Sequence, residues 1–221
     1  INMIKNFFKL ISSEFQLMLK GSVFSFVLYC MLIISCAIFA LSLKHHSMGI
    51  NAPLSFLYIM IFFISLFKVE KIYSQDFDEA KLHQYLLSPF SLEIIVFIKN
   101  MMIYFNLIIF FFIFSPLILI ILNIDLTYLL KINILLALSL LSIIFIASMT
   151  ASITISKNNR LSLTSILTLP LFVPILIFSM AITDLIDFNT LRMYLFFVAY
   201  FLLNLAFSPL LTSFALKKLS V

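Results

Sequence analysis

The run INILLALSLLSIIFIASMTASITI fills residues 132–155 without one Asp, Glu, Lys, Arg or His. A helix needs about 20 mostly apolar residues to cross a ~30 Å hydrocarbon core, and this run exceeds that. Inside lipid the backbone must satisfy its own hydrogen bonds, so the run reads as a transmembrane α-helix. Five further stretches pass the same test, at 22–43, 50–67, 101–122, 161–182 and 193–214. The second is the shortest, opening near Pro53 and ending against Lys68, whose long stem can snorkel to an interface. The composition agrees: 64% of the 221 residues are hydrophobic and 10% charged, against an apolar share of roughly 45–50% in soluble domains. The expected fold is an all-α integral membrane protein of six spans, a single transmembrane domain over 1–221.

The same composition excludes several chemistries. Gly21 and Gly49 are the only glycines, so no glycine-rich loop can bring backbone N–H groups close to a nucleotide phosphate. Cys30, Cys36 and three histidines complete no recognisable zinc or haem-attachment motif. The net charge of +5 is scattered at the ends of apolar runs and forms no nucleic-acid patch. The middles of the six spans contain no Asp, Glu, Lys, Arg or His, which disfavours proton-coupled carriers and intramembrane hydrolases. No catalytic pair is present, and the expectation is a non-enzymatic subunit whose energy comes from another chain.

Charge placement sets the expected orientation. With a cytoplasmic N-terminus, 11 basic residues fall inside (Lys5, Lys9, Lys20, Lys68, Lys71, Lys81, Lys99, Lys157, Arg160, Lys217 and Lys218) and 3 outside (Lys44, Lys131 and Arg192). The positive-inside rule then puts both termini in the cytoplasm. Residues 1–21 read as an interfacial amphipathic helix, with Ile4, Phe7, Phe8, Ile11, Phe15, Met18 and Leu19 on one face. It lacks a small-residue cleavage site and reads as no cleavable signal; Ile1 is an unusual first residue and Met3 a candidate start.

Between spans two and three, residues 68–99 gather Glu70, Asp76, Asp78, Glu79 and Glu93, five of the nine acidic residues in the chain. Over 76–87, Phe77, Leu82, Tyr85 and Leu86 form an apolar stripe while Asp76, Asp78, Glu79 and His83 stay polar, the pattern of a short helix resting in a partner's groove. Asp76 with Glu79 makes a capping box, so Asp76 is expected to start this helix and Ser88-Pro89 to stop it. The plainer alternative is a solvated loop whose acids balance Lys68, Lys71 and Lys81.

Pro170 and Pro174 in span five deprive the carbonyls of Ile166 and Pro170 of their helical partners, so a kink or break is expected. Thr164, Ser165 and Thr168 can satisfy the freed groups, which makes the pair a candidate hinge, against a static packing kink. Pro116 and Pro209 read as ordinary kinks, and the Ser and Thr residues of 139–154 as close-packing contacts between helices. His45 and His46 are the only candidates for an external haem contact, although paired histidines beside Lys44 are more often solvated surface.

These residues resemble the family of cytochrome c maturation protein B, also called haem exporter protein B, over nearly the whole chain. The likeness is strongest in DFDEAKLHQYLLSPF (76–90), LTSILTLPLFVPILIF (163–178) with both prolines, and LAFSPLLTSFAL (205–216). Ala80 stands where the family favours Gly, and His83 where it favours an acid. The resemblance implies an ABC-2-type membrane subunit of the bacterial inner membrane, or alternatively the mitochondrial inner membrane. It also implies a separate CcmA-like ATPase that binds the ATP, CcmC-like and CcmD-like membrane proteins, a CcmE-like haem chaperone, and a homodimer within the complex. No cofactor is expected on this chain, with haem as its possible cargo. Its function would be haem export or release of the haem-loaded chaperone. An ABC-2 permease for a lipid or drug, and a non-transporting scaffold, are the alternatives.

Overall fold

The computed structural model describes residues 12, 22–43, 51–79, 81–157, 159–184 and 190–219, without the side chains of Ser22, Leu43, Leu82, His83, Leu86, Thr183, Asp184, Thr190, Leu191 and Leu219. Among the residues from 22 onward that are described, seven α-helices follow in order: α1 (Ser22–Leu43), α2 (Asn51–Asp78), α3 (Lys81–Leu86), α4 (Leu92–Ile121), α5 (Leu129–Thr154), α6 (Arg160–Asp184) and α7 (Thr190–Leu219). A single 3-10 turn, Leu126–Tyr128, leads into α5. All of these except the six-residue α3 are long and apolar enough to cross a membrane. The expected interfacial helix of 1–21, apart from Ser12, and His45 and His46 lie outside the described residues.

The six long helices run up and down in alternation, with α5 packed against α2, α4, α6 and α7. Helix α5 takes this central place because small and hydroxyl side chains let neighbouring backbones approach. Seven consecutive residues, Ser142 to Ser148, are buried, as are Ser139, Thr150, Ala151, Ser152 and Thr154. Most of its hydroxyls donate to carbonyls in their own helix, such as Ser139 to Leu135 O (2.7 Å) and Ser152 to Met149 O (2.7 Å). They fill helix contacts, in line with the close-packing reading.

One face of α1, α6 and α7 remains covered with large apolar side chains, including Ile34, Ile166 and Phe207. Such a surface is stable only against lipid or another apolar surface. Local sequence fixes where the spans end. At the close of α4, Asn123 adopts φ 55°, and the N–H groups of Asn123 and Ile124 bond to Ile120 O (3.1 Å) and Leu119 O (2.9 Å). This Schellman-type closure needs a left-handed residue, which Asn tolerates better than most.

Three sequence expectations change. Asp76 does not start a helix; it lies in the last turn of α2, which runs unbroken from the membrane to Asp78. No Gly or Pro occurs between Pro53 and Pro89, so nothing interrupts α2 at residue 67. Lys68 does not reach outward: it is 1% exposed and donates to Ser25 Oγ on α1. Lastly, of the kink or break expected at Pro170 and Pro174, the break does not occur, since α6 stays helical through both. Breaking it inside lipid would free more carbonyls than the two prolines do. The hydroxyls of Thr164, Ser165 and Thr168 donate to Arg160, Leu161 and Thr164 O, and not to the carbonyls of Ile166 and Pro170.

Candidate functional site: the charged end of the bundle

Helices α2 (28 residues) and α4 (30 residues) exceed the roughly 20 residues a bilayer requires, so each has about 8–10 to spare. At 1.5 Å per residue that is about 12–15 Å of helix outside the hydrocarbon. The surplus gathers at one end, where α2, α5 and α7 finish and α1, α4 and α6 begin. Eight of the described basic residues are there, from Lys68 on α2 to Lys218 on α7, and so are Glu70, Asp76, Asp78, Glu79 and Glu93. Lys131 and Arg192 sit at the other end.

Asp76 is the centre of the arrangement. Its carboxylate pairs with Lys99 in the second turn of α4, the two side chains being 13% and 5% exposed. It also accepts from Lys81 (3.4 Å) and from the Tyr85 hydroxyl (3.2 Å) on α3. Lys99 Nζ lies over the rings of Tyr73 (4.7 Å) and Tyr85 (5.6 Å), which shield the pair from water. Asp76 thus fastens α3 to both α2 and α4. Beneath it is a cleft lined by Tyr73, Phe77, Leu92, Ile95, Ile155 and Leu216, among others.

From Tyr73 a chain of hydrogen bonds crosses the bundle. The Tyr73 hydroxyl donates to Asn100 Oδ1 (2.9 Å), and Asn100 Nδ2 donates to Ser148 Oγ (2.8 Å) on α5. Ser148 in turn faces Ser208 Oγ on α7 (3.4 Å), which donates to Phe145 O. All of these polar groups are buried, where an unmet hydrogen bond is costly.

Two ion pairs nearer the surface tie further helices. Arg160, opening α6, meets both oxygens of Asp78 at 3.1 Å and stacks over Phe77 at 5.4 Å. Glu93, in the first turn of α4, accepts from Lys217 (3.0 Å) and Ser213 (2.9 Å) on α7. Thr154 and Thr164 join α5 to α6 at 2.6 Å. A displacement of the Asp76–Leu86 region would therefore be felt by α4 and α6 directly and by α5 and α7 through Asn100.

The structure brings Asp76, Phe77 and Tyr85 together facing inward, Phe77 packing on the core. This corrects the grouping of Asp76 with Asp78 and Glu79 on the polar side, opposite the stripe of Phe77 and Tyr85. Asp78 and Glu79 remain 59% and 58% exposed. The side chains of Leu82, His83 and Leu86, and all of Ala80, lie outside the described residues. Sequence reasoning counted Lys99 and Arg160 only as topology markers and missed Tyr73 and Asn100. A polar Tyr73 and a Lys99-Asn100 pair at the two helix ends nearest the acidic cluster were the available signal.

Among the described residues, six helices long and apolar enough to span a membrane, interlocked at a charged end, define a multi-pass membrane protein. The family described as CcmB protein matches residues 5–218, nearly the whole chain, and the chain belongs to that family. Its members are haem-exporter permease subunits of an ABC-type system serving cytochrome c biogenesis, and are not themselves enzymes. No individual curated protein matches the chain closely enough to be compared.

Proposed function

We propose that this subunit receives the conformational stroke of a separate ATPase at the charged end and passes it into the spans. The exposed acids Asp78 and Glu79, with α3 behind them, form the contact surface. The observation that carries the reading is the position of Asp76, which holds α3 against α2 and α4 from inside. A push on α3 has a rigid route into the bundle. The concentration of basic residues at this end supports a cytoplasmic position for it, where ATP is available.

In this reading two copies surround two ATPase subunits in the bacterial inner membrane, next to the CcmC-like and CcmD-like proteins. The work done is haem export or release of the haem-loaded CcmE-like chaperone. Pro170 and Pro174 lie in α6, which Arg160 links to the contact surface, and are the hinge through which that helix bends. The test is co-purification of the ATPase with Asp78→Lys/Glu79→Lys protein. Loss of the ATPase from a bundle of unchanged thermal stability is expected; normal co-purification would remove the docking surface from these residues.

A further inference from the structure

Helices α1 and α2 together line an open groove of about 370 Å³. On α1 the groove follows the stripe Leu28, Met31, Ser35 and Ile38; on α2 it follows Met60, Ile64 and Phe67. Leu28 and Ile64 form a buried floor and Met31 and Ile38 an exposed rim, so the groove opens sideways toward lipid. Ten residues of helix separate Leu28 from Ile38, about 15 Å. That is half of a ~30 Å hydrocarbon core, the depth one acyl chain reaches from its own leaflet.

Both ends of the groove are closed by specific contacts. At the inner end Phe39 and Phe56 stack with ring centroids 4.1 Å apart and planes 4° from parallel. At the charged end the same two stripes continue by one turn, from Leu28 back to Phe24 and from Phe67 on to Lys71. There Lys71 Nζ sits 3.6 Å from the centroid of the Phe24 ring. Among the described residues Lys71 enters no ion pair. The groove is therefore apolar along its length and cationic at the membrane-surface mouth.

We propose that this groove binds one phospholipid with an anionic headgroup, an acyl chain lying between the two stripes and the phosphate meeting the Lys71 ammonium. The charge at the mouth selects an anionic over a zwitterionic headgroup, as basic pockets between transmembrane helices do. The narrow slot suits a single chain and is too small for the ~10 Å width of a partner helix. The bound lipid packs against α1 and α2 along the stretch that both helices line. The proposal does not depend on the transport reading.

The experiment is native mass spectrometry of the detergent-purified full chain, offered phosphatidylglycerol and phosphatidylcholine in equal amounts. Wild type should retain phosphatidylglycerol about fivefold over phosphatidylcholine, the factor a single lysine supplies at an anionic surface. Lys71→Gln should erase that preference while leaving lipid bound, and Lys71→Arg should keep it. Ser35→Trp, or Met31→Trp on the exposed rim if the first variant fails to fold, should reduce retention of both lipids. Equal retention by wild type, selectivity that survives Lys71→Gln, or unchanged lipid in a well-folded groove-filling variant would each overturn the proposal.

Discussion

The Lys99 ammonium on α4 and the Asp76 carboxylate on α2 form a buried ion pair roofed by the Tyr73 and Tyr85 rings. Removing one partner of a buried pair strands the other charge and typically costs about 3–5 kcal/mol. Lys99→Met is therefore expected to lower the thermal unfolding midpoint of the detergent-solubilised protein sharply. Asp76→Leu/Lys99→Met, which removes both charges, should recover most of that loss. A double variant no better than Lys99→Met would show that Asp76 is stabilised chiefly by Lys81 and Tyr85.

The Asp78–Arg160 pair should behave differently, because its carboxylate is 59% exposed. Exposed pairs contribute about 0–1 kcal/mol, so Arg160→Ala should hardly change the unfolding midpoint. The exchange Asp78→Arg/Arg160→Asp then separates pairing from recognition. It preserves an ion pair between α2 and α6 but reverses the charge offered to the ATPase. Co-purification should fall in the exchanged protein; its full retention would mean that only the internal pair matters.

How much of this was legible beforehand follows from what each feature depends on. The six spans needed only run length, since lipid permits no other structure for a 24-residue uncharged segment such as 132–155. The acidic cluster was visible as composition. Its geometry was not, because the capping-box pattern at Asp76 and Glu79 is a local signal, and the unbroken α2 overrides it. Had Asp76 been a cap, its carboxylate would have faced its own helix. Placed instead in the last turn of α2, it points at Lys99, a partner that only the packing of α2 beside α4 brings near. The route through Asn100 was hidden for the same reason, since Tyr73, Ser148 and Ser208 belong to three other helices.

Ser148 supplies a packing test of that route. It is fully buried where α5 meets α4 and α7, within hydrogen-bond reach of Asn100 and Ser208. Ser148→Ala should cost little, since interhelical hydrogen bonds in membrane proteins average about 0.6 kcal/mol. Ser148→Leu forces a larger side chain into the closest approach of the helices, and overpacking of that kind costs about 1–3 kcal/mol. The ratio of the two losses of stability measures whether this crossing is held by hydrogen bonding or by close packing. A larger effect from Ala than from Leu would contradict the packing account of α5.

Pro170 and Pro174 allow the hinge to be separated from stability. Helix α6 is already continuous through both, and Pro170 is exposed toward lipid, so Pro170→Ala removes no buried contact. It restores an N–H able to bond to Ile166 O, and the unfolding midpoint of Pro170→Ala/Pro174→Ala protein should hold or rise. If α6 must bend when the ATPase acts at Arg160, the same variant should lose cytochrome c maturation in cells while still binding the ATPase. Stiffening a helix that merely packs would leave maturation intact. The combination of a steady or raised midpoint, normal ATPase binding and lost maturation is the expected result. Retained maturation would reduce the two prolines to static features of the packing.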